Sequence, residues 1–107
     1  MARLKKLKFE NAEHILEYYE NNKNEIYERT YKLLRDFWDK NKFIGDVNIY
    51  ETEVETFEEM KYISVLKTEW SNCLNEMQQH YVKTEQYEIA CKTRDLLEEI
   101  FGKPKLD

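Results

Sequence analysis

The chain is poor in the residues that turn or break a backbone: its 107 residues include two glycines and one proline. Sheet-rich domains need frequent turns, so this scarcity argues against a sandwich or barrel and for few, long helices. Cysteine is equally scarce. Cys73 and Cys91 have no CxxC spacing, so they are read as small buried side chains in a reducing cytoplasm, with a disulfide between them left open. His14 and His80 are the only histidines, and no HExxH or Cys/His zinc spacing accompanies them. Two glycines cannot build a phosphate-cradling loop. No serine elbow or Cys/His dyad is present. No apolar run is long enough to span a membrane or to form the core of a secretory signal. These absences predict a cytoplasmic protein off the membrane, with no catalytic residues, no metal and no cofactor.

An excess of positive charge is missing too. The formal net charge is −5, whereas proteins that grip nucleic acid by its phosphates carry a basic surface. The charge is uneven, however. Arg3, Lys5, Lys6 and Lys8 make residues 1–9 a basic arm, and residues 43–60 contain six acids without a lysine or arginine. The arm is the one candidate nucleic-acid contact, disfavoured by the overall balance.

Aromatic residues are abundant: eight Tyr, five Phe and two Trp. That many large apolar groups exclude intrinsic disorder. Tyr18, Tyr19, Tyr27, Tyr31, Phe37 and Trp38 spread around more of one helix than a single buried stripe covers. Tyr and Trp are favoured at interfaces because they give contact area at low entropic cost. The length fits one domain over 1–107, small enough that self-association or a partner would help to hold it.

The periodicity predicts an all-α fold, a small helical bundle. Asn11 is set to cap a long helix over 11–41, whose apolar phase carries through a polar Asn-rich gap; a break into two helices at 21–24 is the alternative. Gly45-Asp46 signals a turn, and residues 47–52 alternate briefly. With no second strand evident, 42–55 is read as an irregular loop. Thr56 to Glu59 forms a capping box, followed by Met60, Ile63, Leu66, Trp70, Cys73, Met77 and Tyr81 at helical spacing, which predicts a helix over 57–82. Thr84 is expected to cap a last helix with Tyr87, Ala90, Cys91, Arg94, Leu97, Ile100 and Phe101 toward one side. Gly102 fits its end and Pro104 lies just beyond. The short connection makes 57–101 an antiparallel helical hairpin.

Within that hairpin, Leu74 and Met77 precede Tyr87-Glu88, Ala90, Arg94-Asp95, Leu97 and Ile100. This order resembles the UVR motif, the helical hairpin of the bacterial excision-repair proteins UvrB and UvrC and of ClpC- and McsA-type proteins. The match spans residues 74–100. The connection is one residue longer than the family's, and Ile89 and Cys91 flank Ala90 where the family more often has alanine. Helicase, nuclease and zinc-finger features are absent from the rest of the chain. The resemblance implies a docking surface that pairs with a second hairpin, as self-association or with another protein. Tyr87, Glu88, Arg94, Asp95 and Leu97 are its candidate contact residues. On the residues alone, Ala90 and Cys91 let the helices approach and Tyr87 locks the turn. Arg94 and Asp95 diverge by about 100° on a helix, so they should not serve one ligand together.

The first functional expectation is therefore a non-enzymatic interaction or regulatory protein docking through the C-terminal hairpin. The Asn-, Lys- and Tyr-rich, Gly-poor usage suits AT-rich genomes, so this extends to a phage or bacterial accessory factor. The alternative is a nucleic-acid-associated factor using the basic arm. The third is a small-ligand binder or enzyme with a site between helices.

Overall fold

A computed structural model of the chain describes residues 5–11, 13–54 and 57–102, with the side chains of 57–61 outside that description. The elements run β1 (Lys5–Phe9), α1 (Glu13–Asn21), α2 (Lys23–Asn41), β2 (Val47–Val54), β3 (Phe57–Val65), a 3-10 turn (Lys67–Glu69), α3 (Trp70–Lys83) and α4 (Tyr87–Phe101). The fold is thus mixed α and β, which corrects the all-α expectation. The sheet order is β1-β2-β3, with β1 parallel and β3 antiparallel to β2. Parallel neighbours need a long crossover, and α1 and α2 supply it.

Residues 47–54 are a strand and not a loop, because both neighbours they need exist. One is the basic arm itself: Lys5 pairs with Tyr50 and Phe9 with Val54. The register sets Lys6 opposite Glu51 and Lys8 opposite Glu53, so the basic and acidic stretches face each other across a ladder, where opposite charges are favourable. The other neighbour is 57–65, which was expected to be helical. Met60, Ile63 and Leu66 fit a helical stripe, but a short apolar run is ambiguous between periods. The aromatic and β-branched set Phe57, Tyr62, Ile63 and Val65 suits a pleated surface. The Thr56 half of the capping box lies outside the described residues, and no helix begins after it. Neither glycine, proline nor asparagine marks the connection at 55–56, so the hairpin carried no turn signal.

An irregularity between Asn48 and Tyr50 leaves Ile49 as an extra residue on β2. Bulges re-aim side chains in this way, and here the consecutive Ile49 and Tyr50 are both buried. Leu7, Val47, Thr52 and Val54 are buried with them, while Lys6, Lys8, Asn48 and Tyr62 are not.

The predicted long helix is two helices. Its phase is interrupted at Asn22 (φ −129°, ψ 32°), whose side-chain amide donates to the Tyr18 carbonyl at 2.9 Å. Asn11 caps as expected, accepting the His14 amide on Oδ1 at 3.3 Å. From α2, Ile26, Tyr27, Thr30 and Leu34 enter the core. Gly45 packs closely on α2: an added Cβ would lie 3.1 Å from Phe37 Cζ, so the ring would have to give by a few tenths of an ångström. Its carbonyl accepts the indole N–H of the fully buried Trp70 at 2.6 Å, which ties the end of the α2–β2 connection to the start of α3.

The C-terminal hairpin exists but is shorter than expected, 70–101 and not 57–101. Trp70, Leu74, Met77 and Tyr81 form the buried stripe of α3, and Ala90, Thr93 and Leu96 that of α4. Thr84 does not cap α4; it ends α3, its hydroxyl donating to the His80 carbonyl at 2.8 Å. The Gln86 amide reaches the Tyr81 carbonyl at 2.7 Å and the Glu85 amide the Val82 carbonyl at 3.1 Å. This is a Schellman closure, with Glu85 in the left-handed region (φ 61°) where glycine is usual. Gly102 ends α4 at φ 83°.

Candidate functional site

The hairpin tip is held from both sides. Asn24, at the start of α2, accepts on Oδ1 from Gln86 Nε2 at 3.1 Å and lies 2.7 Å from His80 Nε2. Gln86 also donates to Thr84 Oγ1 at 2.7 Å, and the His80 ring meets Tyr27 edge-on with centroids 5.2 Å apart. Burial first, then Lys23 and Lys83, hold the His80 imidazole below its ordinary pKa. At the other end, Arg35 of α2 pairs with Glu99 of α4 and, at 2.9 Å, with Asp39. The hairpin is therefore presented at a set orientation on α2.

On α4 the expected one-sided series divides between two faces. Ala90, Leu97 and Ile100 face inward with Thr93 and the fully buried Leu96. Tyr87, Cys91, Arg94 and Phe101 are exposed, with Tyr87 58% and Phe101 45% accessible. Positions 87, 91, 94, 98 and 101 are spaced four, three, four and three, the spacing of a seam between packed helices. Tyr87 does not lock the turn, and the buried small residues that let the helices approach are Ala90 and Thr93 instead of Ala90 and Cys91. Thr93 satisfies its hydroxyl on the Ile89 carbonyl at 2.8 Å. Glu88 lies 4.0 Å from Lys92, and together with Glu85, Gln86, Tyr87 and Ile89 they line an open concavity at the tip. Arg94 donates to the adjacent Asp95 at 3.2 Å, so the two side chains do converge despite their angular separation. Val82, 48% exposed, joins the apolar surface at the end of α3. It was not among the expected contact residues, although it falls just after the α3 stripe.

In the described part of the basic arm, two of the three lysines are paired with carboxylates. Arg3 lies outside the described residues. Lys5 binds Glu25 at 3.0 Å and Lys6 binds Glu53 at 3.4 Å, which leaves Lys8 exposed on the β1 edge. The two cysteines are free. Burial pushes the Cys73 thiol up to about 11, which makes it a poor nucleophile. Among the described residues no group of three or more His, Cys, Asp or Glu is arranged to hold a metal ion, and no helix is long and apolar enough to cross a membrane. Comparison with protein-family models, curated proteins and solved structures finds no match.

Proposed function

We propose that this is a non-enzymatic interaction protein that docks through the outer face of α4, with a second helical hairpin as its counterpart. The observation that carries the reading is the exposed series Tyr87, Cys91, Arg94, Phe101 at seam spacing on a helix whose opposite face is fully occupied. An amphipathic helix needs one apolar stripe to join its own core; large aromatics on a second stripe are most useful against a partner. The resemblance of 74–100 to the UVR hairpin supports this surface at Tyr87 and Arg94, whereas Leu97, which it also implies, packs against the core. Engagement of Lys5 and Lys6 by carboxylates weighs against the nucleic-acid alternative, because paired lysines release few counterions.

The simplest counterpart is another copy of the chain, and light scattering across a concentration series tests it. The expected result is a dimer that Tyr87→Glu and Phe101→Glu dissociate without loss of helical content. A charge pairing between Arg94 of one copy and Asp95 of the other is tested by mixing. Arg94→Asp and Asp95→Arg should each be monomeric alone and should associate when combined. A monomer at every concentration that also captures no hairpin protein from host lysate would sink the reading.

A further inference from the structure

The sheet side of the molecule holds a second feature, independent of the hairpin. Lys5, Tyr50, Glu25, Glu28, Arg29 and Lys32 line a cleft of about 240 Å³ where β1 and β2 meet α2. Two of its members have unmet bonding capacity. Tyr50 is 0% exposed and its hydroxyl has no hydrogen-bond partner among the described residues. Such a buried orphan costs stability unless something satisfies it. Arg29 lies with Cζ 5.1 Å from the centroid of the Tyr50 ring, and its Nε donates to the Ile49 carbonyl at 2.9 Å. That bond fixes the guanidinium over the ring, and among the described residues no carboxylate lies within ion-pair distance of it. The other charges cancel in pairs: Lys5 with Glu25 at 3.0 Å and Lys32 with Glu28 at 3.2 Å. The cleft is left with one uncompensated positive charge beside one unused O–H donor.

We propose that this cleft binds a small monocarboxylate, held between the free Nη groups of Arg29 and the hydroxyl of Tyr50. A guanidinium and a hydroxyl donate to a carboxylate in charge-assisted bonds, the strongest class available to neutral and cationic donors. With Glu25 and Glu28 cancelled by Lys5 and Lys32, the cleft offers one net positive charge, which a monoanion neutralises and a dianion would exceed. Access runs past the exposed Lys5–Glu25 pair. Exposed pairs of this kind are worth little, so the rim side chains part at small cost.

The test is an NMR titration of the intact protein with sodium acetate and sodium benzoate at constant ionic strength, with sodium chloride and inorganic phosphate as controls. Saturable shifts centred on the Arg29 Nε–H and the residues around Tyr50 are expected with the carboxylates and not with chloride. Tyr50→Phe should fold with undiminished thermal stability and bind about tenfold more weakly or worse, and Arg29→Gln should do the same to binding. Lys32→Gln, which alters only the rim, should change affinity by about threefold or less. Shifts that follow ionic strength alone, phosphate binding tighter than carboxylate, or wild-type affinity in Tyr50→Phe would each overturn the proposal. A hydroxyl satisfied by solvent alone would show itself as a stability loss in Tyr50→Phe with no response to any carboxylate.

Discussion

The C-terminal hairpin and the N-terminal sheet solve the problem of burial in opposite ways. In α3 and α4 every buried residue lies three or four positions from the next, and the two helices meet across a short turn. Their pairing is local and closes little loop entropy. In the sheet, β1 finds β2 across more than the length of two helices, with Lys5 opposite Tyr50. Its ladder buries Leu7, Tyr50 and Val54 and adds the exposed Lys6–Glu53 pair at its surface. A local pattern can be read from neighbours in the chain, whereas a pattern that depends on a distant strand cannot.

Substitutions sharpen this contrast. The largest effect is expected at the joint between the two regions. Trp70→Ala removes a fully buried indole and its bond to Gly45, and should destabilise by about 3–5 kcal/mol, measured by urea unfolding. A much smaller loss would mean that the hairpin and the sheet are held by other contacts. Next is a stabilising change confined to the hairpin. Glu85→Gly relieves a left-handed residue and should raise stability by about 1 kcal/mol, seen as a higher melting temperature. In the sheet, Lys6→Glu places like charges opposite Glu51 and beside Glu53. The loss should be about 0.5 kcal/mol, because the groups are exposed and screened, and should shrink in high salt. A loss that does not respond to salt would deny the ladder its electrostatic share.

The smallest effect is one of pH. Folding lowers the pKa of His80 from its ordinary 6.5, so the unfolded chain binds a proton more readily than the folded one. Its contribution is complete above pH 6.5 and fades as pH falls through the folded value. Stability measured from pH 7.5 to 5 should therefore decline on the acid side, and His80→Gln should flatten that part of the profile. An unchanged slope in His80→Gln would place the dependence elsewhere.

Legibility followed the same division. The capping by Asn11, the end of α2 at Asn41, the α3 stripe from Trp70 to Tyr81 and a helix ended by Gly102 were all readable, since each depends on residues within a turn or two. Residues 47–54 showed their alternation, but a strand is only as good as its neighbours. One neighbour resembled a charged tail and the other carried a helical coincidence at Met60, Ile63 and Leu66 behind a false capping box. On α4 the period was right and the facing was not: Leu96 and Thr93 enter the core, and Tyr87, Cys91 and Arg94 turn outward. The candidate contacts Tyr87, Arg94 and Asp95 were nameable beforehand. The Arg29–Tyr50 cleft was not, because its residues come from two elements and its significance lies in bonds left unmade.

By itself the sequence determined the helices, their periods and most of their ends, because backbone capping and apolar spacing act over a few residues. It also determined the balance of charge. Only the tertiary structure decided that residues 5–9 of the basic arm are a strand, that 57–65 pairs instead of coiling, and which side of α4 meets the core. Those outcomes depend on burial against a partner distant in the chain, where a one-position shift in facing exchanges core for surface.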